Sequence, residues 1–190
     1  APTPYGAVFS AFMAGCLLGS TLFAALSARR ATGDATAAVE RFTAGMLAAA
    51  ALSLAAASLC ASDSPLPFLD TPGRRTAPLL LSLVAFEVCA GAYFSCIGTL
   101  RGATVPDRSL SAVVALFNAP ANACVAAFLV TPPDVLGGTP GALGIAAGAL
   151  ALACGCTVRL TGIGRREREA VAAAEAAAPP RRRLLRRTSS

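Results

Sequence analysis

Glu87 is the single acidic side chain in the long apolar stretches of this chain, and it lies near the middle of one of them. A charged side chain at the centre of a bilayer costs about 2.5–3.5 kcal/mol on insertion scales, so such residues usually face a cavity or a partner. Small and polar residues, including Ser95, follow Glu87 on roughly the same helical side. Glu87 therefore either lines a translocation path as a proton- or substrate-coupled carboxylate, or is a neutral acid hydrogen-bonded to a neighbouring helix.

Two asparagines lie close together in another apolar stretch. Asn118 and Asn122 are four residues apart and share one helical face, and Pro120 lies between them. Proline cannot donate a backbone hydrogen bond inside a helix, so we expect a bend and a free carbonyl at this point. Uncharged amides beside a bend suit a path for a polar substrate, because they donate hydrogen bonds without a fixed charge. The alternative is that the amides hydrogen-bond between helices and contribute only to packing.

Arg101 directly follows the apolar stretch that contains Glu87. We expect it at the cytoplasmic membrane surface, where it either anchors the helix end or guards the inner mouth of a path against cations. Anchoring is the simpler interpretation.

Enzymatic and metal chemistry have little support in the residue types. The chain contains no histidine, and its seven cysteines form no CxxC pair, so we expect no metal, no cofactor and no catalytic triad. Most of the cysteines lie inside apolar segments, where they behave as small apolar residues. We expect a protein that is not an enzyme.

Five apolar segments, each long enough to cross a bilayer, determine the fold class. A spanning helix needs about 20 apolar residues. Hydrophobic residues make up 55% of the chain and charged residues 14%, below the roughly 25% typical of soluble domains. The sequence therefore predicts an all-α integral membrane protein. The predicted spans are 5–28, 42–62, 77–100, 110–130 and 141–158.

Arginines indicate how these segments are oriented. All basic residues are arginine. If the N-terminus is outside, the five spans place most of these arginines on the opposite side of the membrane. By the positive-inside rule, this side is cytoplasmic. Arg74 and Arg75 would be the exceptions. The positions of the arginines also favour membrane lipid as the partner and argue against nucleic acid.

The sequence divides into a helical bundle, residues 1–163, and a cytoplasmic basic tail, residues 164–190. The tail begins with alanine-rich helix-forming sequence and ends in an arginine cluster. We expect the cluster to bind the anionic inner leaflet or to act as a topological anchor. Glycines at helical spacing predict close helix packing in the bundle; they are Gly15, Gly19, Gly91, Gly144 and Gly148.

Three blocks of sequence resemble the molybdate-anion transporters, a branch of the major facilitator superfamily. The block from Tyr5 to Ser20 is similar to helix eight of that family. Glu87-Val-Cys-Ala-Gly-Ala-Tyr-Phe94, with Gly98-Thr-Leu-Arg101 and Val105-Pro106, is similar to helix ten and the turn after it. Phe117-Asn-Ala-Pro-Ala-Asn122 is similar to helix eleven. Together the blocks extend from about Pro4 to Val130.

The resemblance implies a major facilitator-like C-terminal bundle, helices eight to twelve, with substrate held between two halves near the midplane. The N-terminal helical half would then be missing from this chain and would be its partner. The implied function is transport of molybdate or a similar small oxyanion by alternating access, most simply at the plasma membrane. Glu87, Ser95, Asn118 and Asn122 would line the path, and Arg101 would lie at its mouth.

The chain departs from the family pattern in helix eleven. There the family has an arginine at the place of Asn118 and an asparagine at the place of Ala115. The absence of that fixed positive charge leaves the substrate open. Two alternatives therefore remain. One is a non-transporting membrane scaffold with a lipid- or partner-binding tail, and the other is a major facilitator with a different substrate.

Overall fold

The computed structural model describes residues 5–29, 35–62, 72–132 and 134–177. These residues form five α helices without strands: α1 (Tyr5–Arg29), α2 (Ala35–Ala61), α3 (Pro72–Thr104), α4 (Asp107–Val130) and α5 (Gly138–Ala177). Each helix is long and apolar enough to cross a membrane. The predicted all-α membrane fold with five spans is therefore confirmed.

Several helices extend beyond the predicted spans. α2 begins at Ala35 and α3 at Pro72, whereas the predicted spans begin at residues 42 and 77. α5 has 40 residues and continues through the alanine-rich segment as far as Ala177. The reason is that apolar length defines only the part of a helix that lies in lipid, whereas backbone hydrogen bonding continues for as long as the residues favour it. The helix is continuous across the predicted domain boundary after residue 163.

Four of the helices pack side by side. α3 contacts α1 on one side and α2 on the other, and α2 also contacts α5, so the order across the bundle is α1, α3, α2, α5. The buried core consists mainly of alanine, leucine and cysteine, and Thr43 and Cys96 are its largest fully buried side chains. The small side chains allow the helix backbones to approach closely, which is how helices gain packing energy in lipid.

The tightest approach is between α1 and α3. Gly19 and Gly91 are both buried there, and each faces backbone of the opposite helix. A Cβ atom at Gly19 would overlap the Val88 carbonyl, and one at Gly91 would overlap the Cys16 carbonyl. The Ser20 hydroxyl donates to the Gly91 carbonyl oxygen at 3.2 Å. These residues form the α1–α3 seam, which needs glycine on both sides.

α4 is only sparsely attached to the other helices. It has few contacts with α3, and none of its residues is buried within the described chain. At its end, the chain turns into α5 through Gly137 and Gly138, both with φ of 71°. This left-handed conformation is accessible to glycine at little cost.

Candidate functional site

Glu87 lies beside the α1–α3 seam. It is half-buried, and a Cβ at Gly15 of α1 would lie 3.4 Å from the Glu87 Cβ. No other described residue forms a hydrogen bond or an ion pair with its carboxyl group. The alternative in which Glu87 is a neutral acid hydrogen-bonded to a neighbouring helix therefore finds no hydrogen-bond partner among the described residues. The Glu87 carboxyl group lies at the edge of the packed α1–α3 interface and forms no hydrogen bond with another described residue.

The side of α3 that follows Glu87 changes from packed to open along the helix. Gly91, one turn on, is covered by α1, and Ser95 is half-buried with its hydroxyl donating to the Gly91 carbonyl at 3.2 Å. Phe94 is 69% exposed, and Gly98 has open space around it. α1 therefore occupies the middle of this stripe. Phe94 and Gly98 are therefore the open positions of this stripe, whereas Gly91 is closed off by α1.

Asn118 and Asn122 lie on α4 and are exposed. Pro120 lies inside α4, which remains one helix from Asp107 to Val130, and the predicted bend stays a prediction. Neither amide forms a hydrogen bond with another described residue. Because α4 is only sparsely attached to the other helices, the described helices do not gather the two asparagines and Glu87 into one closed site.

Arg101 is in the last turn of α3 and is half-buried. A cation at a helix C-terminus interacts favourably with the helix dipole, typically by about 0.3–1 kcal/mol. This position is compatible with both roles considered for Arg101.

The glycines expected to mediate packing have different surroundings. Gly15, Gly19 and Gly91 are buried between α1 and α3. Gly144 and Gly148 are exposed on α5. A Cβ at Gly144 would lie 3.5 Å from the hydroxyl oxygen of Ser58, whereas Gly148 has open space around it.

An apolar cavity of about 180 Å³ lies between the ends of α1, α2 and α3. Its lining residues are Phe23, Leu26, Ser27, Ala38, Val39, Phe42 and Thr99. The rings of Phe23 and Phe42 approach to 6.0 Å between centroids. The sequence did not single out this cavity, because no spacing rule relates residues on three separate helices.

Metal-ligand clusters of histidine, cysteine or acidic residues do not occur in the part of the chain that the structure describes. Cys96 of α3 is instead fully buried near Thr43 of α2, whose hydroxyl donates to the Val39 carbonyl at 2.8 Å. This cysteine therefore takes part in packing between α2 and α3.

Comparison with known proteins gives one similarity and two negative results. Over 118 residues, 62% of this chain, the sequence is 36% identical to the molybdate-anion transporter of Danio rerio. The aligned region spans 22% of that relative's length. No family model matches the chain. No solved structure matches it either.

Proposed function

We propose that this chain is part of a transmembrane transporter of the molybdate-anion transporter family. The observation that carries the proposal is the 36% identity to the Danio rerio molybdate-anion transporter over 118 residues. Five helices of spanning length support it, because a transporter of this kind is built from such helices. In this proposal the five helices correspond to helices eight to twelve of a major facilitator protein.

The proposed substrate is molybdate or a similar small oxyanion. Moving an anion through a low-dielectric region requires hydrogen-bond donors that replace its water. The exposed amides of Asn118 and Asn122 are such donors and remain without partners among the described residues. Arg101, at the end of α3, would attract the anion at the cytoplasmic mouth.

Glu87 would have a different role from the amides, because an ionised carboxylate repels an anion. A carboxyl group that gains and loses a proton removes this repulsion in one state and restores it in the other. Its half-buried position without a described partner leaves it available for this exchange. We propose that Glu87 couples the position of the anion to a proton.

The opposite wall of the path would be formed by further helices of the transporter. α4 supports this arrangement, since two amides facing hydrocarbon would be costly and none of its residues is buried within the described chain. In the proposed alternating-access cycle, the five helices would move against that wall. The bundle of residues 1–163 and the tail of residues 164–190 would belong to the same half.

Uptake in cells tests the proposal. The complete reading frame that contains this chain is expressed in the plasma membrane of cells with little molybdate uptake of their own. The cells receive molybdate enriched in one stable isotope of molybdenum, and that isotope is measured in the cells by mass spectrometry. We expect accumulation above the empty-vector control, reduced by unlabelled molybdate and reduced less by chloride. Equal accumulation with and without the protein, at verified surface expression, would contradict the proposed function.

A further inference from the structure

α5 is longer than a membrane span, and its C-terminal part is bound to α2 by an ion pair. α5 has 40 residues, about 60 Å of helix, whereas a bilayer with its headgroups is about 40–45 Å thick. The segment from Arg159 to Ala177, here called the α5 extension, contains the charged residues of this helix. The positive-inside rule places it in the cytoplasm.

Contacts between α2 and α5 are found along α2 from Ser58 to Glu40. At one end, the Ser58 hydroxyl donates to the Pro140 carbonyl at 2.7 Å. Further along, the Cys154 thiol approaches the Ala44 carbonyl at 3.4 Å. Contacting residues have rising sequence numbers along α5 and falling sequence numbers along α2, so the two helices are antiparallel. The series ends at the N-terminal part of α2, where the Glu40 side chain is 22% exposed.

Glu40 and Arg168 form a two-pronged ion pair across the ends of these helices. The guanidinium nitrogens lie 2.9 Å and 3.3 Å from the two carboxylate oxygens, and the residues are 128 positions apart in sequence. Side chains on a helix lean toward its N-terminus. In an antiparallel pair, Glu40 therefore leans outward from the membrane and Arg168 leans back toward it, which brings the two groups together.

We propose that Glu40 and Arg168 form a cytoplasmic latch that holds the α5 extension against the start of α2. The latch joins the two helices outside the lipid, so that a displacement of one helix at this end moves the other. A bidentate arginine–carboxylate pair suits this role, because its two bonds define orientation as well as distance. This proposal does not depend on which substrate, if any, the protein transports.

The same helix carries a matched control. Arg165 and Glu169 form an ion pair within α5, at 3.2 Å, and their side chains are 74% and 64% exposed. Removing Arg165 or Arg168 takes one arginine from the same extension, together with the described ion pair that the arginine forms. Of these two ion pairs, only the one that Arg168 makes with Glu40 reaches α2.

Hydrogen–deuterium exchange of the whole chain in lipid nanodiscs tests the latch. We expect R168Q to raise exchange of the α2 amides from Val39 to Ala44 by roughly two- to fivefold, and E40Q to do the same for the α5 extension. R165Q should leave exchange in α2 unchanged. The charge exchange E40R with R168E should restore slow exchange in both segments.

In each variant, exchange is measured on the helix that does not carry the substitution. A loss of stability confined to the substituted helix would therefore not produce the expected result. Unchanged exchange in α2 for R168Q, together with unchanged exchange in the α5 extension for E40Q, would overturn the latch. An equal effect of R165Q and R168Q on α2 would also overturn it. Neither result would bear on transport, which the uptake experiment measures separately.

Discussion

The α1–α3 interface contains two kinds of residue with different roles. Gly19 and Gly91 allow close packing, whereas Glu87 supplies an ionisable group. The glycines lack side chains so that two backbones can approach, and both are buried. Glu87 is half-buried at the edge of the same interface and has a carboxyl group with no described partner. The α1–α3 seam therefore packs beside this carboxyl group but offers it no hydrogen-bond partner among the described residues.

The seam makes a prediction about glycine substitution. G91A places a methyl group against the Cys16 carbonyl and should destabilise the bundle by about 1–3 kcal/mol. G98A on the same helix meets open space, so it should be neutral or stabilise slightly through higher helix propensity. Thermal unfolding of both variants in detergent measures the difference. Equal midpoints would show that the seam is not as close as described.

Substitution of Glu87 by glutamine tests its proposed role in coupling. E87Q keeps the size of the side chain and removes its ability to ionise. We expect transport by the complete protein to fall at least tenfold while surface expression is unchanged, because no described hydrogen bond or ion pair is lost. E169Q, which changes an exposed carboxylate on the α5 extension, should transport normally. Undiminished uptake by E87Q would leave Glu87 with a structural role.

The helices differ in how much of their surface the described chain covers. α2 is packed against α3 on one side and α5 on the other, whereas α4 has no buried residue. Leu116 and Leu129 of α4 are 72% and 77% exposed, as expected for residues in contact with lipid or a further helix. Asn118 and Asn122 are exposed on the same helix. Hydrocarbon cannot satisfy their amides, so α4 needs a polar environment on one face.

Substitutions on opposite faces of α4 test whether only the face with the two asparagines borders the proposed path. N118L removes an amide from the proposed path and should lower uptake by the complete protein about tenfold. A127L adds an apolar group on the opposite face, half a helical turn away from Asn118, and its uptake should stay within about twofold of the parent. Radiolabelled or mass-detected molybdate uptake, normalised to surface protein, gives the comparison. Similar losses for both variants would point to a general packing defect.

At the scale of the whole molecule, the charge distribution and the helix order agree on a single orientation. The turn between α3 and α4 lies at the end of α3 that carries Arg101, and the turn between α4 and α5 contains no arginine. Lipid headgroups and the insertion machinery retain arginine on the cytoplasmic side. The N-terminal end of α1 and the turn before α5 should therefore be outside.

Cysteine labelling tests the orientation at two exposed positions. In a background without native cysteines, V135C in the turn before α5 should react with a membrane-impermeant thiol reagent in intact cells. A103C, near the cytoplasmic end of α3, should react only after the cells are permeabilised. Both residues are exposed in the structure, so accessibility does not distinguish them. The reverse pattern of labelling would invert the topology.

The sequence by itself determined that the chain forms five spanning helices and which residues in them are polar. Apolar length is a local property, because each helix satisfies its own backbone hydrogen bonds whatever lies beside it. The same reasoning placed Glu87 at mid-span and the two asparagines four residues apart. It also located Arg101 at the end of α3, and the structure has it there.

Only the tertiary structure decided which helices are neighbours and which polar groups meet. Spacing showed that Gly19 and Gly91 permit close packing, but not that each faces the other's helix. Nothing local relates Glu40 to Arg168, since their contact depends on the antiparallel packing of α2 and α5 and on the length of α5 beyond the span. Contacts between distant segments are set by how whole surfaces fit together, and surface fit is not encoded in any one stretch of residues.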